Sequence, residues 1–180
     1  MGNLKLAINS YTQFLQLSME ILDISAQLKA LNFLGVDHYL LAKQASENRT
    51  EDDSVIKRHI ETAISSHSRH LNLADEAGKF VANNNLGLCY DLMGDTIEAA
   101  KCHQNALRLA IKMQSLHGQS ISVGNLGLLA LKKGDLTTAR SCFEQHLNLT
   151  QTLEDAPAEI NAWKLVSCIY LIVILLLTSK

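Results

Sequence analysis

Three pairs of residues hold most of this chain's candidate chemistry: His67 with His70, Cys102 with His103, and Cys142 with His146. His67 and His70 lie at i and i+3, on one side of a helix, and the cysteines of the two Cys-His pairs fall at equivalent helix-B positions. Such donors could hold a zinc ion, which wants three or four converging nitrogen or sulfur ligands. The same positions are slots that a helical repeat fills with packing residues, so we read the histidines as core or groove residues. No Ser-His-Asp or Cys-His order stands beside a loop that could form an oxyanion hole. The nine glycines are spread along the chain and never clustered into a phosphate-binding loop. The expectation is a protein that is not an enzyme and needs no metal or cofactor.

Recognition is the remaining chemistry. An asparagine amide offers both donor and acceptor, so it can pair with the backbone of an extended peptide whatever that peptide's sequence. Asn84, Asn85 and Asn125 are placed for this on helical stretches. The plainer role for such residues is polar surface. Nucleic acid and anionic membranes are poor partners for a chain with 16 Lys+Arg against 18 Asp+Glu and a net charge of −2. With 47% apolar residues, 5% aromatics and the single proline Pro157, the composition reads as all-α. Cys89, Cys102, Cys142 and Cys168 lack paired spacing and read as reduced thiols of a cytoplasmic protein. The first ten residues lack a secretory signal, and Leu6 stands where a myristoylation signal wants Ser or Thr.

These residues must be positioned by repeated elements. Asn85-Leu86-Gly87-Leu88 returns as Asn125-Leu126-Gly127-Leu128, and Gly94-Asp95 returns as Gly134-Asp135. Ala99, Leu107 and Leu109 return as Ala139, Leu147 and Leu149, and earlier copies run through Ala7, Leu34-Gly35 and Ala63. A last partial copy holds Trp163, Val166 and Tyr170. Each unit reads as two antiparallel helices, A and B. Glycines 87 and 127 let helix B approach closely, with the alanines at 7, 63, 99 and 139 as the small facing residues. Gly94-Asp95 and Gly134-Asp135 supply the A-to-B turns, the glycine in the left-handed C-cap and the Asp capping the next helix. Gly78 and Gly118 are expected in the turns between units.

The pattern resembles the tetratricopeptide repeat family across essentially the whole chain. Leu86-Gly87, Tyr90, Ala99, Phe143 and Trp163 are the clearest matches, while Ser167, Ala130, His67 and His103 depart from it. The long period is similar to that of kinesin light chains and Pins-like adaptors. The resemblance implies a superhelix of antiparallel pairs whose helix-A faces form a concave groove for a partner protein. It assigns Asn84, Asn85, Leu88 and Asp91 to that groove, with Asn125 and Leu128 one unit on. Asn85 and Asn125 resemble the asparagine ladder of kinesin light chains. A carboxylate clamp of the chaperone-binding type is not expected, since Val36, Leu88 and Leu128 replace its asparagines and Asn84 and Gly124 its lysines.

The expected layout is a single domain, 1–180, with a partial repeat at 1–25. Repeats at about 26–77, 78–117 and 118–155 follow, then a partial repeat at 156–180. Helices are predicted at 4–22, 26–44, 54–77, 80–92, 96–116, 119–132 and 136–153, and from near Pro157. The polar stretch 46–53 reads as an exposed acidic loop. A chain that starts at a turn and stops after an unpaired helix A is expected to be a piece or isoform of a longer repeat protein, or to need partners at its ends. The function that follows is an adaptor for a protein or peptide. Its rivals are a module that self-associates through open ends and a scaffold tethered to a membrane by its last helix. Leu165 to Leu177 is apolar except for Ser167, but its length of about 20 Å falls short of the roughly 30 Å hydrocarbon core.

Overall fold

The computed structural model describes residues 2–49 and 51–178, and among them the protein is all-α with no strand. The helices are α1 (Gly2–Glu20), α2 (Ile24–Asn48), α3 (Asp53–Leu73), α4 (Glu76–Met93), α5 (Thr96–Lys112), α6 (Leu116–Lys132), α7 (Leu136–Thr152) and α8 (Ala156–Thr178). They belong to two compact units, 1–102 and 103–180. In the first, α1 packs on α2, α2 on α3 and α3 on α4, and α2 also touches α4. In the second, α6 packs on α7 and α7 on α8. Neighbouring helices packed in a row are the arrangement of a tetratricopeptide-type α-solenoid.

Capping explains where the helices begin. The side chains of Asp23, Asp75, Ser115 and Asp155 each accept a hydrogen bond from the backbone N–H three residues on, at 2.9–3.1 Å, and so start the four A helices α2, α4, α6 and α8. Asp95 and Asp135 do the same for α5 and α7 at 3.1 and 3.0 Å. Each satisfies a donor that the first helical turn leaves unpaired. Gly94 and Gly134 carry positive φ of 89° and 77°, as the turn motif requires. Gly78 and Gly118 do not lie in turns. They occupy the third helical position of α4 and α6, where the cap lands, and at Gly78 a Cβ would come within 2.6 Å of the Cβ of Ala74. At Gly78 it is close approach, rather than chain reversal, that favours glycine.

The first unit corrects the acidic loop. Residues Ser46 to Asn48 continue α2, and α3 already begins at Asp53, so only residues 49–52 connect them; Thr50 lies outside the described residues. The extra residues of this repeat lengthen a helical hairpin to 25 and 21 residues. The cause is burial: Ala42, Ala45 and Ile60 are buried, with Tyr39 and Ile56 packed around them. The polar residues of the stretch coat the outer face, and Lys43 pairs with Glu47 at 3.9 Å. At its other end α3 stops at Leu73, short of residue 77, and α4 starts at Glu76. A second cluster of Leu15, Ala30, Leu31 and Leu34 joins α1 to α2.

The second unit is built around Phe143, fully buried among Ala130, Ala139, Leu147, Ala162, Val166 and Ile169. Helix α8 thus donates one stripe to the core. Its other sides are bare: Ile160, Trp163, Tyr170, Leu171, Ile174 and Leu175 are all exposed. Among the described residues α7 thus covers only one side of this helix; the side chains of Leu176 and Leu177 lie outside them. The stretch Ala156–Leu175 is long and apolar enough to cross a membrane, with mean hydropathy 1.7 and 17% of it buried.

Candidate functional site

The repeated glycine of helix A is a seat for a ring. A Cβ on Gly127 would lie 2.5 Å from the ring of Phe143, and a Cβ on Gly35 would collide with the imidazole of His67. At both glycines the nearest ring belongs to the residue four positions after the repeat alanine, His67 after Ala63 and Phe143 after Ala139. Ala63, Ala99 and Ala139 are fully buried, whereas Ala7 is half-buried. His67 fills in the first unit the place that Phe143 fills in the second. Burial, with the nearby His70 adding to it, pushes the His67 pKa down to about 4. Its Nδ1 has no hydrogen-bond partner. A buried, neutral imidazole of this kind is packing material.

Several of the other histidines and cysteines are engaged or shielded. His38 and His59 join α2 to α3 through an Nδ1···Nδ1 hydrogen bond of 2.8 Å, and burial followed by the charge of His59 lowers the His38 pKa. His146 Nδ1 meets Ser120 Oγ at 2.8 Å. All four cysteines are free; burial pushes the Cys89 thiol up to about 12 and that of Cys102 up to about 11. Such thiols stay protonated and are poor nucleophiles. Among the described residues no three His, Cys, Asp or Glu side chains gather as a metal site would require.

The recognition residues are divided between the units. On α4, Asn84 is buried and its Nδ2 donates to the carbonyl of Phe80 at 3.3 Å. Asn85 and Leu88 are half-buried, as is Asp91. Asn85 Nδ2 donates to Asn32 Oδ1 on α2 at 3.1 Å, tying two helix-A faces together. Beside that bond a hollow of about 330 Å³ opens between α2 and α4, lined chiefly by Leu28, Asn32, Phe33, His70, Ala77 and Val81. On α6 of the second unit, Asn125 is half-buried and Leu128 exposed. Sequence reasoning missed Asn32 and Phe33. The signal was there to be read: Leu34-Gly35 aligns with Leu86-Gly87, which sets Asn32-Phe33 on the positions of Asn84-Asn85.

A helical row with glycine seats, left-handed glycine turns and Asp caps is now in view. Residues 122–157 match the tetratricopeptide repeat family. The match supports a tetratricopeptide-type repeat protein and points to a non-catalytic scaffold fold, because such repeats are in general protein–protein interaction modules. It covers α6 and α7 from Ser122, including Gly127, Gly134, Ala139 and Phe143. No curated protein matches the chain.

Proposed function

We propose that this protein is a non-enzymatic adaptor whose helix-A face holds a segment of another protein. The long repeat period places it, in this reading, beside the long-period tetratricopeptide adaptors. The observation that carries the reading is the Asn32–Asn85 bond next to the apolar hollow between α2 and α4. That bond uses one N–H and one lone pair. The Nδ2 of Asn32 and the Oδ1 of Asn85 keep capacity for a peptide C=O and N–H. Phe33 and Val81, both exposed, would grip a partner side chain. Leu88 and Asp91 extend the same face along α4, and Asn125 and Leu128 are assigned the corresponding role on α6. Asn84 joins only by giving up its bond to Phe80.

Peptides selected from a display library on the full chain supply the probe. Asn85→Ala should weaken their binding about 2- to 10-fold, the worth of one hydrogen bond, and Phe33→Ser should weaken it further, with helicity unchanged. Equal affinity for wild type and both variants would move the site away from this face.

A further inference from the structure

Two residues after the helix-A glycine stands a recurrent buried slot. It holds Asp37 after Gly35, Cys89 after Gly87, Leu129 after Gly127, and Ile169 after Ser167, which replaces the glycine on α8. All four are buried, and Asp37 alone is charged in type. Cys89 packs with Ile60 and Ala63 of α3, and Ile169 with Phe143 and Leu147 of α7. In both cases the slot faces the helix that comes before. For α2 that helix is α1, which packs on it. The ring of Tyr11 stacks on Phe33 with centroids 4.9 Å apart. Asp37 is one turn beyond Phe33 in an antiparallel pair, so it comes under α1 ahead of Tyr11, near Leu4 to Ile8.

That cover is costly. Asp37 is 9% exposed, its Oδ2 makes no hydrogen bond, and burial raises the pKa of its carboxyl. Lys5, the one charged residue of α1 before Glu20, is exposed. Whether it keeps its charge or takes up a proton, a carboxyl without a partner opposes the contact that hides it from water. Cys89, Leu129 and Ile169 favour theirs. The two halves of α1 are also held unequally. Leu15 is buried with Ala30, Leu31 and Leu34, and Gln27 Nε2 donates to the carbonyl of buried Ser18 at 3.2 Å. From Asn3 to Phe14 every residue is only half-buried or exposed.

We propose that residues 3–14 are a strap that lifts from α2 while Leu15 to Glu20 stay seated, with Asp37 as the group that keeps it detachable. Lifting returns Asp37 to water and takes Tyr11 off Phe33. It thereby bares another side of a residue that lines the hollow between α2 and α4. A partner in that hollow would meet more of Phe33, a consequence that rests on the adaptor reading although the strap itself does not.

Amide hydrogen exchange of the full chain, with no partner present, reads such local opening residue by residue. Asp37→Leu, which copies Leu129, should slow exchange at residues 6–14 at least about tenfold and leave the α4 amides of Leu86 to Cys89 unchanged. Asp37→Asn keeps the shape and removes the charge, so it should slow the same residues by less, and it carries the test if the leucine variant does not fold. Equal exchange in wild type and the variants would overturn the proposal. Faster exchange at residues 6–14 in Asp37→Asn would do the same, because the carboxyl would then be a tie. So would a slowing shared equally by α1 and α4, since α1 would then open only with the whole unit.

Discussion

Gly127 and Gly124 are three residues apart on α6, and the structure gives them opposite meanings. A Cβ on Gly124 would meet the His146 ring at 3.6 Å, an ordinary contact, whereas on Gly127 it would meet Phe143 at 2.5 Å and the Cβ of Cys142 at 3.0 Å. Gly124→Ala should therefore gain about 1 kcal/mol of helix propensity. Gly127→Ala should lose up to about 2 kcal/mol, because overpacking of about 1–3 kcal/mol outweighs the same gain. Urea denaturation of both variants distinguishes the seat from the spare glycine; equal shifts would remove the ring-on-glycine account. His67 carries the pH prediction. Its folded pKa lies below the unfolded 6.5, so the unfolded chain binds the extra proton first as pH falls. The stability that neutral His67 confers is complete above about pH 6.5 and is lost as pH drops towards about 4, at up to about 1.4 kcal/mol per pH unit. His67→Phe, which copies Phe143 of the second unit, should flatten the acid limb of a stability–pH curve. His38, His70 and His146, also lowered, leave a residual slope.

At the scale of elements, two kinds of connection stand out. The A-to-B turns at Gly94 and Gly134 are plain in the sequence, since only glycine takes positive φ without strain. Three B-to-A turns instead place Leu22, Gln114 and Glu154 in the left-handed region, at φ of 57°, 54° and 53°, each just before the capping Asp23, Ser115 or Asp155. Nothing in those side chains signals the conformation, which costs a non-glycine residue about 1–2 kcal/mol. Glu154→Gly should raise stability by about 0.5–1 kcal/mol, the relief of strain less the added freedom of the unfolded chain. A lower melting temperature would show that the Glu154 side chain contributes more than its backbone costs. The hairpin of α2 and α3 was harder to read than the turns. Ser46 to Asp53 has a loop's composition, yet a helix with one buried face shows the same polar residues on the other.

For the molecule as a whole, the C-terminal helix divides core from surface within a few residues. Ile169 is fully buried, whereas Leu171 is 61% exposed. Ending the chain after Ile169 should leave the second unit folded, because the described side chains removed are mostly solvent-facing within one copy. Ending it after Asn161 should unfold the second unit, because Ala162, Val166 and Ile169 leave the Phe143 cluster with it. Thermal melts followed by circular dichroism test both, and a collapse of the chain ending at Ile169 would place Tyr170 and beyond in the core. Sequence alone determined the all-α class, the repeat, the glycine turns and the Asp95 and Asp135 caps. Each of these is written in local spacing, and repetition made the spacing visible above chance. Which residue meets the glycine, that Asn84 is covered while Asn85 reaches Asn32, and that the acidic stretch is helix were decided only by tertiary packing. Those outcomes depend on which side of each helix its neighbour covers, and a residue's own spacing does not record its neighbour.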